Sequence, residues 1–416
     1  MNRFRLVLLS ILCVASGTTG LHAQKNPYEA IAVTGAKSRS LATAANRAVR
    51  SSTPSTAERR AIRDYVLKCG IAPIGAPSKF ASDGRQLAKF RKVVVDMLRL
   101  SGTQSPTAHA EIVALCEKYL ISGDRTKGIP GIATSGSFPP ASRLNAMLLI
   151  ADLNTTEGRR TKPKPSAKAA AFMTAVVGSK KYPQYLRIAA LNGLRRHAAC
   201  DAIRSSKTLQ AVVIILKEAP TSDLQPEALI WQRRLAIETL GLMKTPVVAK
   251  HVAPILLDKD EPLELRCAAA EALGRLKFPA GNKTVANAIA PVGAVAVAAC
   301  LKEVERMDAE MEARGADGGP STPLRIGTEG EEAPVDPIVD VTRRILLNQL
   351  NCVATGIEGL SAAATGQDKN LASAVAEHLK ELQKLLTDDA RTMPPKELQG
   401  QIATTASKLE RIVDTK

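Results

Sequence analysis

Aromatic residues are scarce in this chain: one Trp, five Tyr and six Phe in 416 residues. Few large rings and much alanine suit thin layers of helix on helix better than the core of a sandwich or barrel. No sustained alternation of apolar and polar residues marks a strand ladder. Histidine is equally thin. Beyond the first 23 residues only His109, His197, His251 and His378 remain, none with a second ligand at helical spacing, so no metal is expected. The chain also lacks a glycine-rich phosphate loop, a G-x-S-x-G elbow, an H-E-x-x-H helix and a haem-attaching C-x-x-C-H. No enzyme activity and no cofactor are therefore expected. Past the N-terminus, no stretch reads as the ~20 apolar residues of a membrane-spanning helix.

The N-terminus has the pattern of an export signal. Arg3 and Arg5 precede an apolar run from Leu6 to Ala15, and Leu21-His22-Ala23 resembles a peptidase site. Cleavage is expected before Gln24, giving a signal peptide over 1–23 and a periplasmic or extracellular product. Cys13 lies inside the apolar run, not after it, which argues against lipidation.

One helical phrase then recurs four times: an arginine, an alanine three residues on, and a leucine or isoleucine four beyond that. The copies are Arg143, Ala146, Ile150; Arg187, Ala190, Leu194; Arg233, Ala236, Leu240; and Arg266, Ala269, Leu273, spaced by 44, 46 and 33 residues. A unit of this period cannot bury its apolar face alone and must stack on its neighbours, as in an α-solenoid. In the fourth copy Leu265, Ala268, Ala269, Ala272, Leu273 and Leu276 share one stripe, while Glu264, Glu271 and Arg275 point away. Alanine allows close approach, and each buried leucine contributes roughly 1.5–3 kcal/mol. Pro139, Pro183 and Pro262 stand four residues before their arginines, a spacing that predicts first-turn prolines, whereas Pro226 stands seven before Arg233. Gly241 and Gly274 follow the last leucine and suggest helix ends.

The stretch Glu261-Pro262-Leu-Glu-Leu-Arg266-Cys-Ala-Ala-Ala-Glu-Ala-Leu273-Gly274 resembles the second helix of HEAT repeats, of the armadillo-type α-solenoid class and especially the short form found in phycobilisome-lyase-like proteins. The match extends to 187–194 and 233–241, more weakly to 143–150, and covers about a third of the chain. The resemblance implies a right-handed superhelix of paired helices with a concave protein-binding surface, the arginine linking neighbouring loops. It carries no catalytic residue onto this chain, and an exported protein is a poor fit to a bilin lyase.

The expected plan is all-α. An Ala/Ser/Arg-rich segment over 24–78 carries one helix at 57–69, and a HEAT-like solenoid over 79–314 begins with degenerate stripes at 86–100 and 107–120. A Gly/Pro/acidic loop follows over 315–335, then a helical region over 336–416. Arg343, Leu346 and Leu350 repeat the arginine, apolar and leucine offsets there, and the chain ends in a hairpin suited to capping the solenoid or joining a second subunit.

Loss of the signal leaves 55 basic and 40 acidic groups, yet eleven acids lie between Glu303 and Asp340. The remainder is strongly basic and attracts anionic partners through a field that salt weakens. The densest basic stretch is Arg159, Arg160, Lys162, Lys164 and Lys168, broken by Pro163 and Pro165. Without interleaved aromatics it does not suit single-stranded nucleic acid; an anionic envelope polymer is the better fit. Six cysteines remain after processing, Cys69, Cys116, Cys200, Cys267, Cys300 and Cys352, dispersed without paired spacing. Equivalent positions on adjacent repeats stand about 8–10 Å apart, beyond the ~7 Å reach of a disulfide. Cys267 faces away from its stripe and is placed to be exposed or to meet the next repeat. His197 and Cys200 are the nearest thing to a base and nucleophile, three residues apart on one helix, but a histidine in a last turn more often serves the free carbonyls there. The function expected is that of an exported scaffold binding a protein partner, with an anionic glycan or lipid surface as the alternative and a cryptic enzyme using His197 and Cys200 third.

Overall fold

The computed structural model describes residues 26–76, 84–158, 161–203, 205–219, 225–316, 335–390 and 392–415. The expected signal peptide and nearly all of the acidic loop lie outside the described residues. What is described is mostly helical with almost no strand, an all-α chain. It divides into two compact units, one ending at Lys164 and the other beginning at Pro165. The division separates the first arginine copy from the other three.

In the first unit the helices are α1 Pro27–Ile31, α2 Gly35–Ala48, α3 Thr56–Tyr65, α4 Ala72–Gly75, α5 Gly84–Gln104, α6 Pro106–Cys116 and α7 Pro140–Asp152. A capping box starts α3: the Ser55 side chain accepts from the Glu58 N–H, and the Glu58 carboxylate accepts from the Ser55 N–H at 2.7 Å. Both α3 and α6 run on into π-helical turns, Val66–Ile71 and Glu117–Ser122. The segment 24–78 thus holds more than the one expected helix. Helix α2 was illegible because its buried contacts are alanines, Ala45 and Ala48, too weakly apolar to mark a stripe. Tyr28 anchors this region. It is fully buried, its ring packs edge-on against Tyr119 and Phe138, and its hydroxyl lies 3.0 Å from the carbonyls of both Tyr119 and Pro130.

The second unit comprises α8 Ala167–Val177, α9 Gln184–Ala199, α10 Ser206–Leu216, α11 Pro226–Leu242, α12 Ala249–Leu257, α13 Leu263–Arg275, α14 Lys283–Ala316, α15 Pro337–Ser361, α16 Gly366–Lys384 and α17 Pro395–Asp414. Helices pack in consecutive pairs, α8 with α9, α10 with α11, α12 with α13 and α14 with α15. The second members also pack on one another in series, α9 on α11, α11 on α13 and α13 on α15. Their buried faces are the expected alanine and leucine stripes, with Ala190, Leu194, Ala236, Leu240, Ala269 and Leu273 all inaccessible to solvent.

One local expectation needs correction. Pro139, Pro183 and Pro262 are N-caps, one residue outside the first turn, and it is Pro226 that occupies the first helical position of α11. Gly241 and Gly274 stand at the helix ends, each the penultimate residue, and they also serve close packing: a methyl at Gly241 would sit 2.7 Å from Ala272 Cα, and one at Gly274 would sit 2.6 Å from Gly356 Cα.

Helix α14 alone among the described helices is long and apolar enough, by length and composition, to cross a membrane, a property the sequence reading did not find after residue 23. Here its apolar face, including Ile289, Val292, Val295, Ala296 and Cys300, is buried. The expected C-terminal hairpin is α16 against α17, and both pack on α14 in the same chain, with Gly293 close to Val375 and Val413. Gln399 ties α17 down by donating from Nε2 to the Val304 carbonyl at 3.2 Å.

Candidate functional site

The repeat arginines form the first constellation. Arg187, in the first turn of α9 and only 3% exposed, donates from Nε and Nη2 to the carbonyl of Val177, the last residue of α8, both at 3.2 Å. Its Nη1 reaches Gln184 Oε1 at 3.1 Å and both carboxylate oxygens of Glu218 at 2.9 Å. Arg233 of α11 makes a forked pair with Glu261 at 2.8 and 2.5 Å. Glu218 follows α10 and Glu261 follows α12, so each arginine grips the acid that follows the first helix of the next pair. Arg266 repeats the other half of the pattern, its Nε donating to the Leu256 carbonyl, again ten residues upstream, at 3.4 Å. Arg143 belongs to the first unit, where α7 packs against α5 and α4; its Nε is buried without a hydrogen-bond partner among the described residues. These are structural roles: the guanidinium fork satisfies helix-end carbonyls and holds a carboxylate.

The opposite, outward line of the second helices is different. On α11 it carries Trp231, Arg234 and Glu238, three and four residues apart. Trp231, the only tryptophan, is 48% exposed. A cleft of about 410 Å³ opens beside this line, bounded by Arg234 of α11, Cys267 of α13, and Arg344, Ile345 and Cys352 of α15. Ile345 is 38% exposed. A chain of ion pairs runs along the same face: Arg195 to Glu238 at 2.7 Å, Arg234 to Glu238 at 2.9 Å, and Arg275 to Glu271. Burial opposes the charge on Arg234, but Glu238 more than offsets it and raises the guanidinium's pKa. Burial pushes the thiols of Cys267 and Cys352 up to about 12, so both stay protonated at neutral pH. Cys267 is 3% exposed; its departure from the stripe turns it toward α15 and not toward solvent.

A second cavity, of about 600 Å³, lies at the C-terminal ends of α9 and α11. Asp201 and Lys244, at corresponding places after the two helices, both adopt left-handed backbone with φ of 59° and 56°, and their side chains pair at 2.6 Å. A third, of about 830 Å³, lies between α15 and α16 and has a mixed lining that includes Glu358 and Lys380.

Of the basic stretch, Arg159 and Arg160 lie outside the described residues. Lys162, Lys164 and Lys168 are exposed, but Lys164 ends the first unit and Lys168 belongs to the first turn of α8 in the second. His197 is fully buried in the last turn of α9, and Cys200 is the half-buried C-cap whose N–H donates to the His197 carbonyl at 3.2 Å. A base enclosed in this way is closed to substrate. Among the described residues no group of three or more His, Cys, Asp or Glu is placed to hold a metal ion.

The cleft was missed because its residues come from three helices far apart in sequence. The available signal was local: Trp231 and Ile345 are large apolar residues on the otherwise polar faces of amphipathic helices. No family model, curated protein or solved structure matches this chain.

Proposed function

We propose that the second unit is a HEAT-like α-solenoid that binds a protein partner across the outward line of its second helices. The serial packing of α9, α11, α13 and α15 supports the solenoid, as do the arginine-to-glutamate links from one pair to the next. A single observation carries the binding role: one cleft spans three successive second helices and presents Ile345 to solvent between Arg234 and Arg344, with the exposed Trp231 three residues before Arg234 on α11. Tryptophan and arginine are the residues most enriched where protein interfaces concentrate their energy, and concave stacked-helix surfaces are built for such contacts. Binding therefore rests on shape and charge, with no chemical step. In this reading the chain is exported by residues 1–23 and works in the envelope or outside the cell. The exposed Lys162, Lys164 and Lys168 favour a second reading, in which an anionic glycan or lipid surface is bound.

The test is photo-crosslinking in the native cells from position 345, with position 404 on α17 as the control. Capture of a discrete protein from 345 alone, weakened about 30-fold or more in affinity by Trp231→Ala, supports the scaffold. Capture that ignores Trp231→Ala, needs the three lysines and disappears at high salt replaces it with the anionic reading.

A further inference from the structure

We propose that Cys267 and Cys352 are a disulfide-forming pair, joined when a small disulfide oxidant reaches the cleft they share. The general spacing of neighbouring helices would keep such cysteines out of range, but α13 and α15 do not keep it. They run side by side in the same direction and touch backbone to backbone. A methyl added at Gly356 would fall 2.7 Å from the Ala270 carbonyl oxygen, and one at Gly359 would collide with the Gly274 carbonyl. Small residues at a crossing allow this approach. One helical turn before the contact between Ala270 and Gly356 stand Cys267 and Cys352, so both thiols enter the interface where the helices are held closest. Both line the same cleft, and each raises or feels the other's proton affinity: Cys352 adds to the rise that burial imposes on Cys267. Glu271 lies close enough to Cys352 to add to the rise that burial imposes on its thiol. Of the three cavities described above, only this one is lined by cysteine; Cys69, Cys116 and Cys300 are buried elsewhere and Cys200 is half-buried after α9.

Cys352, at 8% exposure against 3% for Cys267, is the first to react. The small fraction of Cys352 that ionises attacks one sulfur of the oxidant, for example oxidised glutathione, and expels one glutathione thiolate, so the exchange is slow at neutral pH and faster in alkaline buffer. The Cys267 thiolate then attacks the Cys352 sulfur and expels the second. Two electrons pass to the oxidant, and the two protons lost by the cysteines end on the two released thiols. The bond ties α13 to α15 across the long intervening segment, which restricts the unfolded chain and raises the melting temperature of the second unit by several degrees. The proposal is independent of any partner in the cleft.

The experiment uses the full chain, equilibrated in glutathione buffers from reducing to oxidising, then denatured, alkylated and digested without reduction. The expected result is one peptide pair joining Cys267 to Cys352, with Cys69, Cys116 and Cys300 still open to alkylation. Oxidised protein melts higher than reduced, and Cys267→Ala and Cys352→Ala each remove both the joined peptide and the shift, with helical circular dichroism verifying that the variants fold. Complete alkylation of both residues after full oxidation, a glutathione adduct that persists on Cys352, or a bridge to any other cysteine overturns the proposal.

Discussion

Replacing Arg187 with alanine tests the central claim about the repeat arginines. The guanidinium is buried and makes two hydrogen bonds to the Val177 carbonyl and two to the Glu218 carboxylate. After its removal Glu218, only 12% exposed, retains a contact from Gln232 Nε2 at 3.3 Å, and the Val177 carbonyl is left without its donor. Breaking a buried pair while leaving one charge behind costs about 3–5 kcal/mol, and an orphaned carbonyl costs about 1–3 kcal/mol. That is a large part of the roughly 5–15 kcal/mol that holds a domain together. Arg187→Lys keeps the charge but loses the fork, so it should cost about half as much. Joint replacement by Arg187→Met and Glu218→Leu should recover at least about 1.5 kcal/mol relative to the sum of the single changes, since no buried charge is stranded. Urea unfolding followed by circular dichroism, with Trp231 fluorescence as a reporter inside the second unit, gives these values. Arg344, whose side chain is 72% exposed, supplies the comparison. If Arg187→Ala costs no more than Arg344→Ala, within about 0.5 kcal/mol, the linking role is refuted.

Gly356→Ala forces a methyl against the Ala270 carbonyl and should destabilise the second unit by about 1–3 kcal/mol in the same urea titration. Tyr28→Phe removes the hydroxyl that serves the Tyr119 and Pro130 carbonyls, and should cost the first unit about 1–2 kcal/mol by thermal melting. Asp124 is held down to about 2 by Lys118 and then by Thr126. Its folded-state affinity for protons is below the unfolded value of about 4, so its contribution is complete above that pH and is lost as pH falls toward 2. The melting-temperature gap between the native chain and Asp124→Asn should therefore be widest near pH 7 and shrink steadily from pH 4 to pH 2.

Helices with mixed alanine and leucine stripes were legible because their period is written in side chains that differ sharply from their polar neighbours. The pattern at 263–276 placed α13, and the offsets of Arg343, Leu346 and Leu350 placed α15. Helix α2 was not legible, since alanine contributes too little contrast to reveal a buried face. The repeat arginines were visible by spacing, but their partners were not: Glu218 and Glu261 sit in connecting segments at different distances, 31 and 28 residues on. The division at Lys164 falls in the basic, proline-broken stretch, which marks a connecting loop but not a boundary between units. The cleft depends on how three helices align, and that alignment is set by glycine contacts whose partners lie from 31 to 86 residues away.

Helix α14 has a consequence for how the chain is made. Its apolar face is covered largely by α15, α16 and α17, all of which follow it in sequence. A chain synthesised from its N-terminus presents α14 before any of those covers exist, and domains acquire their contacts as the chain lengthens. During that interval a segment apolar enough to enter a bilayer has only the smaller contacts with α12 and α13 to lie against. Its correct burial is therefore a matter of timing: most of the cover over this helix is made after it, and a chain stopped short of Pro395 would lack α17, one of the two helices that cover it most.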